Sequence, residues 1–151
     1  MNILNINKPI WFMRQAGRHL PEYRKIRSKK KNFFDFCFDK KSIVEATLQP
    51  VRRYKIDCAI IFCDILIVPY ILGQKISFVK GEGPLLEKLS LEELISLESL
   101  SQKEKDLQNT YKAIKEIRIK LNKNKSLIGF CGGPWTVACY MINGKGDSKF
   151  K

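Results

Sequence analysis

A single histidine, His19, occurs in 151 residues, which leaves a Cys/His zinc centre few possible donors. The cysteines Cys37, Cys58, Cys63, Cys131 and Cys139 are odd in number, and no two have the two-residue gap of a zinc or redox motif. Reduced thiols are expected, several packed as small core residues, and no metal centre. Acidic residues are scarce: 15 Asp and Glu stand against 28 Lys and Arg, a net charge of +13, which points to an acidic partner. Most of the excess is lysine on predicted helix faces, such as Lys103, Lys105, Lys112, Lys115 and Lys120, where it reads as solvated surface. The Lys29–Lys31 cluster lacks interleaved aromatics, so nucleic acid is not the expected partner. Long apolar runs are missing too. The most apolar stretch, Cys58–Gln74, is interrupted by Asp64 and Pro69 and falls short of the ~20 residues a membrane helix needs. The N-terminus MNILNINKP lacks the basic-then-apolar order of a secretory signal. No membrane partner and a cytoplasmic location are expected. There are no repeats or low-complexity tracts.

What is present centres on Trp11–Arg24, WFMRQAGRHLPEYR. Arg14 and Arg18 stand four apart around Gln15, Ala16 and Gly17, a spacing that places both side chains on one side of a helix or a strand. Two planar guanidinium forks on one side suit a ligand with several carboxylates or phosphates, and Gly17 permits positive φ or close approach. A solvated turn with surface arginines is the competing reading. The apolar run Trp11-Phe12-Met13 before the pair favours a site.

A chain of this length could form one domain. Trp11–Met13 reads as the end of a short strand. A helix is predicted from Pro21 to about Lys29, with Pro21 in its first turn. Ser42-Ile-Val-Glu45 resembles a capping box, and Pro50 should kink or end the helix that follows. Cys58–Cys63 reads as a strand buried on both faces. Ile76–Lys80 reads as a short strand followed by a Gly81–Pro84 turn. Two more capping boxes are Ser90–Glu93 and Ser101–Glu104, the second opening a helix with Leu107, Tyr111, Ile114, Ile117 and Leu121 on its apolar face. Asn122–Lys125 breaks it. Ser126–Phe130 is another buried strand, and Pro134 after two glycines starts a helix to about Ile142. This alternation predicts a parallel α/β sheet, with Asp64 and the Gly132-Gly133-Pro134 turn at strand ends, where α/β barrels gather catalytic groups. Three core strands cannot close an eight-stranded barrel of roughly 250 residues. The chain thus reads as a truncated piece.

Three separated segments, PIWFMRQAGRHLPEYRKIR (9–27), AIIFCDILIVPYILG (59–73) and GFCGGPWTVACYMINGKG (129–146), resemble the uroporphyrinogen decarboxylase family, as do TLQPVRRY (47–54) and GEGP (81–84). The resemblance implies an α/β fold, the N-terminal part of a (β/α)8 TIM barrel, with residues 1–151 forming a partial barrel domain. It implies a cofactor-free carboxy-lyase of haem synthesis that removes four acetate carboxylates from uroporphyrinogen III to give coproporphyrinogen III, and a homodimer at full length. Carried across, Arg14, Gln15, Ala16, Gly17 and Arg18 form the carboxylate-binding loop. Asp64 faces the pyrrole N–H groups, Phe33 and Tyr140 contact substrate, and Arg27 matches a further arginine. The family usually has tyrosine at His19, so that histidine is not expected to be catalytic. The family's serine or threonine and histidine of the second half have no counterpart here.

Cofactor-free loss of CO2 needs an electron sink. A pyrrole protonated at a ring carbon is one, and a nearby carboxylate would stabilise its iminium-like charge. Asp64 is expected in that role, with a helix-cap aspartate as its structural alternative. Arg14 and Arg18 are expected chiefly to hold carboxylates, and the proton donor is left open. Two other readings stand beside this one: a corrinoid-linked methyltransferase of the same barrel ancestry, and a basic nucleic-acid-binding module.

Overall fold

The structure, a computed structural model, describes residues 9–79, 83–97 and 100–146, with the side chains of 100–103 set aside. The described residues fall into two compact units. One holds residues up to Cys63 and Leu107–Phe130; the other holds Asp64–Asp106 and the residues from Cys131 onward.

In the first unit, β1 (Cys58–Ile60) pairs in parallel with β4 (Ser126–Ile128), with Cys58 opposite Ser126 and Ile60 opposite Ile128. Helices α3 (Lys40–Arg53) and α6 (Gln108–Lys120) belong to the same unit. Ile43, Val44 and Leu48 of α3, Ala59 and Ile61, and Ala113, Ile117 and Leu121 form one buried cluster. The helical stripe of α6 is therefore rotated from the expected one. Ala113 is fully buried while Tyr111 and Ile114 are each 38% exposed, because the small alanine side chain admits a close neighbour that tyrosine would exclude.

Helix α3 starts one turn before Ser42. Asp39 is its N-cap, and its carboxylate accepts the Ser42 N–H at 2.9 Å and the Ser42 hydroxyl at 2.6 Å. Burial raises the Asp39 carboxyl, but these two bonds and Lys30 outweigh it and leave the group below its usual value. Glu45, expected to complete a capping box, instead holds Arg52. Pro50 does not end the helix. It is buried, and the turn beyond it closes through the Tyr54 N–H to the Pro50 carbonyl at 2.8 Å. Packing thus outweighs the roughly 3 kcal/mol cost of an interior proline. Two shorter helices precede α3: α1 (Pro21–Arg27) and α2 (Phe33–Cys37), the latter capped by Asn32 accepting the Asp35 N–H. Lys30 of the basic cluster pairs with Asp39 at 3.1 Å.

The second unit joins elements expected from the sequence to a strand where a turn is expected. Its β2 (Ile76–Val79) and β3 (Gly83–Leu86) form an antiparallel ladder, with Ile76 opposite Leu86 and Val79 opposite Gly83. Gly83 and Pro84, expected in a turn, belong to the returning strand; Lys80, Gly81 and Glu82 lie outside the described residues. Helices α4 (Ile67–Ile71), α5 (Leu91–Ser96) and α7 (Pro134–Asn143) complete it, with all but the last residue of a 3-10 stretch, Leu100–Leu107. The Ser90–Glu93 capping box is formed. The Ser101 side chain lies outside the described residues, as do 1–8 and 147–151; Leu100–Leu107 is 3-10, so α6 begins at Gln108 and not near Ser101. Helix α7 ends at Gly144, whose φ of 77° suits a left-handed cap. A Cβ on Gly144 would lie 2.8 Å from the Leu86 carbonyl. Among the described residues no helix is long and apolar enough to cross a membrane.

Candidate functional site

Trp11–Met13 is not a strand. The segment leading to the arginines is irregular, with exposed Trp11, Phe12 and Met13, and residues 16–20 form bends and turns closed by the Leu20 N–H to the Gly17 carbonyl at 3.0 Å. The periodicity argument for placing Arg14 and Arg18 on one side therefore loses its premise, since it presumed regular backbone. Gly17 does not use a left-handed conformation either. A Cβ there would meet the His19 ring at 3.3 Å.

The loop is held by three sets of contacts. Upstream, the Asp57 N–H donates to the Ile10 carbonyl and the Ile10 N–H to the Asp57 carboxylate, both at 2.8 Å. In the middle, the buried Gln15 side chain bonds to the backbone of β1. Downstream, Ala16 packs on the cluster of Leu20, Tyr23, Phe36 and Ala46, together with Phe62. The rings in that layer meet edge to face: Phe36 and Phe62 lie 5.1 Å apart and Tyr23 and Phe36 5.4 Å. Phe33 joins them through Phe62 at 6.5 Å, under the Arg27 guanidinium at 5.8 Å. Arg27 also donates to the Lys30 carbonyl at 3.1 Å, so both of these expected residues sit in one aromatic–cation cluster. Thr47, fully buried in α3, accepts the Phe62 N–H at 2.9 Å and fixes the chain just beyond β1. Neither Thr47 nor the anchoring of Gln15 left a signal in the sequence, since a polar residue beside an apolar run looks the same exposed or buried.

Arg14 and Arg18 are exposed. Arg14 lines two clefts. One of about 230 Å³ runs between residues 13–16 and 60–63 and is bordered by Phe130; the other, of about 200 Å³, is bordered by Phe12, His19 and Tyr54. An exposed guanidinium over apolar walls can grip a carboxylate whose body rests on carbon surface. The helix after the loop is held to α3 by Glu22, which accepts Arg53 Nε at 2.8 Å and Nη2 at 2.9 Å. The Arg53 hydrogen bond lowers the Glu22 carboxyl to about 2.

Asp64 belongs to the second unit. Its Oδ1 accepts the Leu66 N–H at 2.8 Å, and its carbonyl accepts the Ile67 N–H at 3.3 Å. This is an Asx-type turn into α4, close to the helix-cap alternative. Burial pushes its carboxyl above the usual range, partly offset by the Leu66 N–H. The residue after Asp64 presses on the start of α7: a Cβ on Gly132 would lie 3.1 Å from Ile65 Cβ and 2.4 Å from Val137 Cγ2. Gly132 thus serves close packing. Tyr140 is half-buried on α7, and a Cβ on Gly146 would lie 2.5 Å from its hydroxyl. The cysteines form no disulfide among the described residues, and burial, followed by the Asp57 charge, raises the Cys58 thiol.

The sequence matches the model of the family described as Uroporphyrinogen decarboxylase (URO-D) over residues 7–151. Relatives named uroporphyrinogen decarboxylase include that of Rickettsia felis, 49% identical over 148 residues, and that of Rickettsia canadensis, 51% identical over 144 residues. That of Mesorhizobium japonicum is 49% identical over 138 residues. The alignments cover 97%, 95% and 91% of this chain but 42%, 42% and 40% of those relatives. Among solved structures, a methyltransferase from Methanosarcina mazei superposes with a TM-score of 0.62 at 15% identity, covering 80% of this chain and 36% of that one. At that identity the likeness concerns the fold alone, and with the family match it indicates a TIM-barrel-type α/β fold. The described residues hold a single parallel strand pair, too little to display a barrel. A match that runs from residue 7 to residue 151 and includes the arginine loop, the Asp64 turn and the Gly132–Pro134 turn places this chain in the uroporphyrinogen decarboxylase family.

Proposed function

We propose that this chain contributes to the cofactor-free decarboxylation of the acetate arms of uroporphyrinogen III, yielding coproporphyrinogen III and CO2. The observation that carries the reading is the family match across residues 7–151, where relatives about half identical bear that enzyme's name. Arg14 and Arg18 hold substrate carboxylates, with Gln15, Ala16 and Gly17 forming the loop between them, and Phe33 and Tyr140 contribute contacts. A pyrrole carbon beside the acetate arm takes a proton, giving an iminium-like cation. The bond to the carboxylate breaks, CO2 leaves, and its electron pair flows into the ring as an exocyclic methylene forms. That methylene takes a proton to become methyl, and loss of the ring proton restores the pyrrole.

Asp64 is the anion that stabilises the cation. A unit-charge pair at about 4 Å contributes on the order of 4 kcal/mol at an effective dielectric of 20. Burial has already raised the proton affinity of this carboxyl, so the arrival of a cation relieves the destabilised anion. The finer reading includes closure of the barrel by further chain and a homodimer.

The test joins this chain to the remaining length of the Rickettsia felis relative and follows coproporphyrinogen formation. Turnover in the parent that is lost in Asp64→Asn, with uroporphyrin binding retained, supports the reading. A parent that neither binds uroporphyrin nor turns over uroporphyrinogen refutes it.

A further inference from the structure

Gln15 is 6% exposed, and both ends of its amide are engaged by one strand. Nε2 donates to the Cys58 carbonyl at 2.9 Å, and Oε1 accepts the Ile60 N–H at 3.0 Å. Along a parallel strand successive peptide groups point to opposite neighbours. On the β4 side, the Ser126 N–H meets the Asp57 carbonyl at 2.9 Å and the Ile61 N–H meets the Ile128 carbonyl at 3.0 Å. The Cys58 carbonyl and Ile60 N–H are the groups a strand on the opposite edge would take. A single side-chain amide takes them here, acting as a one-residue substitute for a strand.

We propose that Gln15 is a positioning residue that sets the register of the arginine loop against β1, so that Arg14 is presented at the cleft bordered by residues 60–63. The chemistry of its neighbours enforces that register. A slip of one residue would bring Arg14 or Ala16 to the edge. Arginine has donors only and cannot satisfy the Ile60 N–H, and alanine can satisfy neither group. Leaving either buried backbone group unpaired is costly. Ala16 reinforces the register by packing on the aromatic cluster. The functional part of this inference rests on reading Arg14 and Arg18 as carboxylate-binding forks.

The test uses the whole 151-residue chain with Gln15→Met, which keeps the length and removes both bonds, and Gln15→Glu, which keeps the acceptor and removes the donor. Gln15→Glu carries the test if Gln15→Met does not fold. Two readouts need no ligand: exchange of the Ile60 amide, and tryptic cleavage after Arg14 and Arg18. Both should accelerate by roughly tenfold or more, while exchange at Ile117 stays as in the parent. The third readout, taken in the chain joined to the remaining length of the Rickettsia felis relative, is affinity for uroporphyrin, a stable octacarboxylate. It should fall by roughly 10- to 100-fold, as it does when supporting hydrogen bonds are removed behind other binding groups. In an Arg14→Ala/Arg18→Ala background the same change should cost less than about twofold, because the forks being positioned are gone. Unchanged Ile60 exchange and cleavage would overturn the anchor. An equal loss of affinity in the arginine-free background would overturn the positioning role. A parent that ignores uroporphyrin while exchange and cleavage respond as expected would overturn the tetrapyrrole reading and leave the anchor standing.

Discussion

The first unit relies on long elements: α3 runs fourteen residues and α6 thirteen, and a shared apolar cluster joins them to β1. In the second unit no helix among the described residues exceeds the ten residues of α7, and much of the joining is done by individual polar groups. Gln74 is buried there and donates from one amide nitrogen to the Glu87 carbonyl at 2.7 Å and the Met141 carbonyl at 2.9 Å, tying the residue after β3 to α7. Charges differ as well. Glu22 and Glu116 of the first unit are lowered to about 2 by hydrogen bonds from Arg53 and from Lys120 and Lys40. Asp64 of the second is raised by burial. One unit uses its carboxylates as fasteners, whereas the other holds one in a state that folding alone disfavours. Functional groups are often kept at such a cost in stability.

The sharpest way to break that contrast is Asp64→Asn in the joined chain. The amide still accepts the Leu66 N–H but carries no charge, so turnover should fall by about 10³-fold, the rate equivalent of roughly 4 kcal/mol. Stability should move the other way. A carboxyl whose folded value lies above its unfolded one favours folding when protonated, and that advantage disappears as pH rises through the folded value. At pH 7 the charged Asp64 therefore costs stability, and Asp64→Asn should melt higher than the parent there, with the difference vanishing below about pH 4. Normal turnover, or a lower melting point at pH 7, would put Asp64 among the fasteners.

Next in size are the cores. Ile117 is fully buried in the α3–α6 cluster, and Ile117→Ala should cost about 2–5 kcal/mol in denaturant unfolding. Ile71→Ala, in five-residue α4, should cost less, because a short helix has freedom to collapse onto the cavity. Equal costs would erase the distinction between the units. Smaller again is Gly132→Ala. The new methyl would meet Val137 and Ile65, and overpacking of this kind costs about 1–3 kcal/mol. Adding Val137→Ala should recover part of it. No recovery would mean that the Ile65 backbone, 3.2 Å away, sets the limit.

The same contrast explains what could be read from the chain. Parallel strands at Cys58 and Ser126, the helix at Pro134 and the Ser90 box follow local rules of proline placement, capping and apolar content, and each formed close to its expected place. Each strand spans only three residues, however, and Ser126–Ile128 is half-buried where full burial was expected. Pro50 and the Tyr111 and Ile114 positions of α6 did not behave as expected, because tertiary packing decided them: a buried proline ring was worth a missing hydrogen bond, and the small Ala113 side chain turned α6. The antiparallel return of Gly83–Leu86 depends on ties such as Gln74, which pair residues up to sixty-seven apart and leave no periodic trace. At the candidate site, Arg14 and Arg18 stood out by composition and family likeness. What holds them, the Gln15 amide on β1, is invisible to any pattern of neighbours because the partner is backbone.

The smallest expected effect concerns the fasteners. Glu22 is half-buried at the surface, and its value of about 2 comes chiefly from the Arg53 hydrogen bond. A lowered carboxyl contributes stability above its unfolded value near 4.5 and loses it as pH falls toward 2. Arg53→Met should therefore flatten the fall in melting temperature between pH 5 and pH 2 and lower the melting temperature at pH 7 by the same amount, a small one because solvent screens such a pair. Added salt should erase even that change. The parent and Arg53→Met losing stability identically across the acid range would show that α1 is held by the aromatic cluster under the arginine loop, with the ion pair as an accessory. The first unit would then be fastened by packing throughout, and the contrast with the second would rest on Gln74 and Asp64.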